Sequence, residues 1–158
     1  PHFPKEPPAR ATVIVGLPGP QYQVEITMTA NKRPKQVFAT PNADGTPGRP
    51  SATLSSAVKV GNTLYVAGLL GNNADNKGNM EAQTRETLAR VDRTLKAAGF
   101  SFSDLVDGMV YITDLAGFDA MNTGYRAILQ KDFPARATVK TGLVGADGLV
   151  EIMFIAAK

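Results

Sequence analysis

The chain contains no cysteine, no tryptophan and a single histidine, His2. The absence of cysteine excludes disulfides, thiolate metal sites and cysteine nucleophiles. It is compatible with a reducing cytosol, so we expect a cytoplasmic location. Because the one histidine stands beside the start of the chain, histidine-based acid–base catalysis is nearly excluded. An active site must therefore be built from arginine, glutamate, asparagine, hydroxyl groups and the backbone.

The sequence also lacks long hydrophobic runs and dense blocks of charge. Hydrophobic residues make up 43% of the chain and charged residues 20%, which is typical of a globular protein with one core, and no run is long enough to span a membrane. The net charge of +3 comes from scattered basic residues, with one short cluster at Lys32, Arg33 and Lys35. Because no aromatic residues interleave with this cluster, we do not expect nucleic acid as a partner, and a solvated linker is the simpler interpretation.

One stretch of sequence occurs twice. The string PARATV at residues 8–13 returns at residues 134–139, and 13 of 23 positions are identical between residues 8–30 and residues 134–156. Unrelated segments would share about one or two positions. The offset of 126 residues, from Arg10 to Arg136, is the size of a domain.

The repeat predicts how the chain is organised. We predict that residues 1–32 are the C-terminal strand hairpin of a preceding, incomplete repeat and that residues 33–158 form a complete domain. A segment of that length cannot bury a core of its own. Its partner is therefore either another chain or an absent upstream half.

Hydrophobic periodicity predicts the order β-β-β-α-β-α-β-β for the complete domain. Gly99 is expected to end the first helix and Asp114 to cap the second. The repeat predicts the same strand hairpin twice, over residues 13–29 and again over residues 137–155. The individual predicted elements are strands at residues 13–17, 23–29, 36–39, 56–60, 63–67, 105–112, 137–143 and 149–155, and helices at residues 80–98 and 118–128.

Two helices among strands that do not alternate strictly with them imply an α+β fold. We predict one six-stranded mixed sheet with both helices on one face. The strands predicted at residues 105–112 and 149–155 carry apolar residues at both parities, which indicates that both of their faces are buried. A domain of this size is expected to find the second cover in neighbouring subunits.

Several stretches of this domain resemble the RidA/YjgF family of reactive-intermediate deaminases, also called endoribonuclease L-PSP. The likeness covers about residues 35–158, and residues 1–32 resemble the family's C-terminal quarter. It implies a chorismate-mutase-like fold assembled as a trimer with ligand clefts between subunits, and no metal or organic cofactor. The matching stretches are VGNTLYVAG at residues 60–68, the helix at residues 83–99, DLAGFDAMNTGY at residues 114–125, FPARATV at residues 133–139 and LVEI at residues 149–152.

The resemblance implies hydrolysis of enamine and imine intermediates, such as 2-aminoacrylate, to 2-keto acids and ammonia. The expected ligand is a small 2-imino or 2-keto carboxylic acid. The expected assembly is a homotrimer, or a pseudo-symmetric oligomer in which a second chain completes the first repeat. A non-catalytic carboxylate-binding or protein-interaction module of the same fold is the alternative. Endoribonuclease activity is least favoured, because without a usable histidine phosphodiester cleavage lacks its usual general base.

Two charged residues are the expected catalytic residues. Arg136 aligns with the family arginine that holds the substrate carboxylate, and a planar guanidinium can bind both carboxylate oxygens. Its alternative role is a surface arginine in an ion pair. Glu151 aligns with the glutamate that helps to position water, and its alternative role is a structural partner for an arginine, Arg136 included. The repeat supplies their equivalents, Arg10 and Glu25, and Arg10 adds a second group that can bind an anion.

Five further positions are expected to line the substrate site. Asn122 aligns with a position near the ligand, and Gly68 aligns with a glycine that permits close approach of the backbone. Leu54, Ala67 and Thr138 stand where many family members carry Tyr or Phe, Ser, and Cys. The two hydroxyls missing at positions 54 and 67 are worth about 1 kcal/mol or more each, and their loss favours the non-catalytic alternative. Thr138 offers one hydroxyl in return, as does its repeat at position 12, although an ordinary strand threonine is the simpler explanation.

Overall fold

The chain folds around one mixed β-sheet, seen in a computed structural model that describes residue 3 and residues 5–158. His2, the one histidine considered above, lies outside the described residues. The elements along the chain are β1 (Val13–Ile14), β2 (Lys35–Phe38), β3 (Ala57–Val60), β4 (Thr63–Leu70), α1 (Met80–Ala97), β5 (Leu105–Ile112), α2 (Phe118–Leu129), β6 (Ala135–Lys140), β7 (Gly142–Leu143) and β8 (Val150–Ala157).

The six long strands form a sheet in the order β2-β3-β4-β8-β5-β6. β5 and β6 run parallel, and the other neighbouring pairs are antiparallel. Both helices pack on one face of this sheet and against each other. The predicted α+β class, the element order and the six-stranded sheet are therefore confirmed. No helix among the described residues is long and apolar enough to cross a membrane.

The core lies between the helices and this sheet face. Leu88, Val91 and Leu95 of α1 are fully buried, and their spacing of three and four residues places them on one side of the helix. Ile152 and Phe154 of β8 are also buried against the helices. Because side chains alternate along a strand, the residue between Val150 and Ile152 points to the other face of the sheet.

The helix ends follow two different patterns. α1 begins after Asn79, whose side chain accepts a hydrogen bond from the N–H of Ala82 at 3.0 Å, and it ends before Gly99, whose φ of +78° confirms the predicted C′ glycine. The prediction that Asp114 caps α2 is wrong. A 3₁₀ turn intervenes, and Asp114 caps that turn through the N–H of Ala116 instead.

The two predicted hairpins do not form. β6 lies at the sheet edge and β8 lies between β4 and β5, so these two strands are not neighbours. In the N-terminal copy only Val13–Ile14 is a strand, and it pairs with β7, whereas residues 23–29 are irregular and exposed. The physical reason is that a β8-like segment needs a strand on each side, and β8 itself already fills that place in the sheet. The division at residues 32 and 33 stays a prediction.

The second face of the sheet, opposite the helices, is largely uncovered by other secondary-structure elements. Its apolar side chains include Met109, Tyr111, Met153 and Ile155, which are half-buried, and Val139, which is 42% exposed. They share this face because side chains that pair across neighbouring strands point the same way, as Met109 does with Met153 and Tyr111 with Val139. Cover from neighbouring subunits stays a prediction, but part of this face is covered within the chain, as described below.

A buried amide ties α1 to the start of β8. The side-chain Nε2 of Gln83 donates to the carbonyl of Asp147 at 3.0 Å, and its Oε1 accepts from the N–H of Leu149 at 2.8 Å. Gln83 is fully buried, so these bonds are not shared with bulk water and are costly to break. Because Leu149 directly precedes β8, this contact sets the position of the strand that carries Glu151.

Candidate active site

Glu151 is a buried carboxylate on the sheet face that points away from the helices. It lies opposite Tyr111 in the antiparallel pairing of β5 and β8. Its side chain is only 4% exposed. An ionised group in such a place is costly unless hydrogen bonds or a nearby positive charge stabilise it, so the surroundings of this carboxylate decide what it can do.

Gly68 makes room for that carboxylate. The pairing of β4 with β8 is irregular between Val66 and Leu69, and Gly68 lies in this interval. A Cβ atom at position 68 would collide with Oε1 of Glu151 and would lie 2.9 Å from Cβ of Ala11. The close approach expected at Gly68 is therefore present, and its partners are the Glu151 carboxylate and the N-terminal segment.

The N-terminal copy of the repeat crosses the sheet at this point. We call residues 7–14 the strap. Ser55 donates its N–H to the carbonyl of Pro8 at 3.0 Å and its hydroxyl to the carbonyl of Pro7 at 2.6 Å. Gly68 donates its N–H to the carbonyl of Arg10 at 3.2 Å. The far end of the strap is β1, which pairs with β7. These backbone contacts hold an extended segment against the outer sheet face.

The strap also sets the electrostatics of Glu151. Burial raises the pKa of Glu151 above its ordinary value of 4.5, and the backbone N–H of Thr12 and the positive charge of Arg10 offset only part of that rise. Nearby, burial and the negative charge of Glu151 both raise the pKa of the Tyr111 hydroxyl. We call Arg10, Thr12, Gly68 and Glu151 the glutamate site.

A second cluster surrounds Arg136. Its guanidinium donates to Oδ1 of Asn122 at 2.8 Å and lies 4.6 Å from the centre of the Tyr125 ring, a distance typical of cation–π contact. Burial raises the pKa of Tyr125 to about 12 although the charge of Arg136 acts against the rise. We call the surrounding surface the arginine cleft. It has a volume of about 360 Å³ and is lined by Asn122, Tyr125, Arg126, Phe133, Pro134 and Arg136.

The sheet separates the two expected catalytic residues. Arg136 pairs with Gly108 of β5 and Glu151 pairs with Tyr111 of the same strand. Because Tyr111 lies three positions after Gly108, an odd number, the side chains of Arg136 and Glu151 point to opposite faces. The interpretation of Arg136 as the ion-pair partner of Glu151 is therefore wrong within one chain. The structure brings Arg136 together with Asn122, and Glu151 together with Gly68 and Arg10.

The remaining expected residues take different places. Ala67 is buried beside Gly68 and donates its N–H to the carbonyl of Ser56 at 2.8 Å. Leu54 is half-buried next to Ser55, which holds the strap. Thr138 is on the face of Arg136, and its buried hydroxyl has no hydrogen-bond partner among the described residues. Glu25 is exposed in the irregular segment after the strap. Their roles in ligand binding stay predictions.

Two contributions to these clusters were missed by the sequence reasoning. Tyr125 is a buried residue of α2 whose ring also supports the Arg136 guanidinium, a role that the sequence did not predict. The backbone N–H of Thr12 acts on Glu151, and side-chain chemistry gives no signal for a backbone donor. The repeat of PARATV was the one signal that pointed to this segment. No group of three or more metal-ligating side chains is found within the described part of the chain.

Comparisons with known proteins cover most of this domain. A family model for endoribonuclease L-PSP matches residues 46–158. The 3-aminoacrylate deaminase RutC of Acinetobacter baylyi is 34% identical over 127 residues, which span 78% of this chain and 98% of the relative. The 2-iminobutanoate/2-iminopropanoate deaminase of Capra hircus is 34% identical over 106 residues, 65% of this chain and 77% of the relative.

Solved structures agree with this similarity. The crystal structure of RidA from an Antarctic Psychrobacter species matches with a TM-score of 0.64 at 34% identity, covering 75% of this chain and 98% of that chain. The family match includes Gly68, Asn122, Arg136 and Glu151, and the strap lies outside it.

The raised pKa of Glu151 predicts a pH dependence of stability. Below the ordinary pKa of 4.5 the carboxyl is protonated in both the folded and the unfolded chain. Above it, the unfolded chain loses this proton first, so the free energy of unfolding falls as pH rises through the folded-state pKa. Urea denaturation between about pH 4.5 and pH 7 should show this fall in the wild type and a smaller one in Glu151→Gln. Parallel profiles for the two proteins would contradict the assignment.

The close packing at Gly68 predicts a coupled pair of substitutions. Gly68→Ala should lower the free energy of unfolding by about 1 to 3 kcal/mol, because the new methyl group displaces the Glu151 carboxylate. In a Glu151→Ala background the same change should cost less, and a double-mutant cycle measures the difference. Gly16→Ala is the matched control, because nothing lies within 4 Å of the added carbon there. Equal costs in both backgrounds would show that the carboxylate is not the obstacle.

Proposed function

Because the chain belongs to the endoribonuclease L-PSP family, also called the RidA/YjgF family, we propose that it hydrolyses enamine and imine forms of small carboxylic acids to 2-keto acids and ammonia. Relatives at 34% identity are named 3-aminoacrylate deaminase and 2-iminobutanoate/2-iminopropanoate deaminase. The observation that carries the proposal is Glu151, a buried carboxylate with a raised pKa beside the backbone of Gly68 and the charge of Arg10.

Glu151 is suited to the proton transfers of this reaction. An enamine such as 2-aminoacrylate first gains a proton on its terminal carbon and becomes the imine. Water then attacks the imine carbon while Glu151 takes a proton from that water, and the protonated Glu151 passes this proton to the nitrogen. The C–N bond of the tetrahedral intermediate breaks: ammonia leaves with the electron pair of that bond, and the hydroxyl loses its proton to solvent as it becomes the C=O of the 2-keto acid. A carboxylate whose pKa is raised is a better base for such a step than an ordinary one.

A guanidinium supplies the second function, which is to bind the substrate carboxylate. Two arginines with the same local sequence are available, Arg10 in the glutamate site and Arg136 in the arginine cleft. The family resemblance favours Arg136 with Asn122, in a cleft completed by a neighbouring subunit of the expected trimer. Because Arg136 and Glu151 lie on opposite faces of the sheet, that arrangement requires a second chain.

A non-catalytic carboxylate-binding module is the second candidate. The observation that favours it is the methyl group of Ala67, which is buried beside the glutamate site and offers no hydroxyl to substrate or water. Leu54 likewise offers none. This candidate predicts that 2-ketobutyrate binds without any accelerated release of ammonia from 2-aminoacrylate, which calorimetry and the assay below distinguish.

The proposal predicts that the protein accelerates ammonia release from 2-aminoacrylate generated in situ. Glu151→Gln should lower the rate constant about 10²-fold or more, since the amide cannot take a proton from water. Glu81→Gln is the matched control, because Glu81 forms an ion pair with Arg85 on the surface of α1, away from the site. It should retain the wild-type rate. A wild-type rate in Glu151→Gln, or no acceleration by the wild type, would contradict the proposed activity.

A further inference from the structure

The strap brings to Glu151 an arginine that lies outside the part of the chain matched by the family model. We propose that Arg10 binds the substrate carboxylate in the glutamate site, so that one chain supplies both the guanidinium and the glutamate. The nature of the ligand rests on the proposed function. The assignment of Arg10 rests on where the strap lies, which is a property of this chain.

Hydrogen bonds to the carbonyl groups of the strap fix the position of Arg10. The carbonyl of Arg10 accepts from Gly68, and two residues earlier the carbonyl of Pro8 accepts from Ser55. The hydroxyl of Thr141 donates to the carbonyl of Ile14 at 2.7 Å at the other end of the strap. Because no bond of this set uses the guanidinium of Arg10, its removal leaves the strap in place. The guanidinium is therefore available for a ligand.

The guanidinium is near Glu151 without being paired to it. Its charge favours the ionised form of Glu151, yet none of the ion pairs among the described residues joins Arg10 to Glu151 within 4.0 Å. Arg10 itself is exposed. The strap binds the Arg10 carbonyl to Gly68, and Gly68 lies directly against the Glu151 carboxylate. A small 2-imino acid has its carboxylate next to its imine carbon, so it can place the carboxylate on Arg10 and the reacting carbon toward Glu151.

Arg136 cannot take this role within the same chain. It points to the helix-covered face, where Asn122 and Tyr125 already hold its guanidinium. The strap itself occupies the place beside Gly68 on the outer sheet face. Each Glu151 is therefore served by the arginine of its own chain.

The test compares Arg10→Ala with Arg49→Ala, which removes an exposed arginine from the loop between β2 and β3. Calorimetry with 2-ketobutyrate should show binding to the full chain that weakens about 10- to 100-fold in Arg10→Ala, as expected for a lost charge-assisted contact. Arg49→Ala should bind like the wild type. In Arg10→Ala the pKa of Glu151, followed by carboxyl NMR, should rise because a neighbouring positive charge is gone.

The outcomes separate this inference from the proposed activity. If the wild type binds 2-ketobutyrate through Arg10 but does not accelerate ammonia release, the deaminase activity is contradicted and the Arg10 site stands. If Arg10→Ala binds 2-ketobutyrate like the wild type, the Arg10 site is overturned whether or not the protein is a deaminase. Loss of binding in Arg136→Ala alone would place the carboxylate in the arginine cleft. No binding by the wild type would overturn the Arg10 site as well.

Discussion

The burial of one carboxylate, that of Glu151, is the constraint on which the site depends. A carboxylate can stay in this position only if the facing strand gives it room and if polar groups lie close to its charged form. Gly68 provides the room, because any side chain at that position would collide with Oε1 of Glu151. The strap provides the polar groups through the N–H of Thr12 and the charge of Arg10. Together they stabilise the ionised form only in part, so the pKa of Glu151 stays above its ordinary value.

The repeat gives the chain two arginines in the same local sequence, and the pleat of the sheet assigns them to different environments. Arg136 stands in its own strand, β6, and faces α2. Arg10 stands in a segment that lies across the outer face and approaches Glu151 from above the sheet. The same six residues thus make a sheet edge in one copy and a cover in the other. Tertiary surroundings decide between these uses, since the local sequence is identical.

Sequence reasoning predicted the parts that periodicity governs. The α1 helix, its end at Gly99 and the limits of β5 follow from spacing and local sterics, whereas the glycine at position 68 was expected from the family resemblance. The hairpin of β6 and β8 was wrong because strand order depends on long-range competition for places in the sheet, which local alternation does not encode. For the same reason the alternative of an ion pair between Arg136 and Glu151 is wrong within one chain, whereas Arg136 and Asn122, both expected at the substrate site, are in contact.

A crystal structure of the full chain with bound 2-ketobutyrate is the most direct test of this account. We predict the ligand beside Glu151 on the outer sheet face, with its carboxylate on the guanidinium of Arg10 and its keto carbon toward the Glu151 carboxylate. A ligand seated instead on Arg136 and Asn122, with the glutamate site empty, would contradict the account.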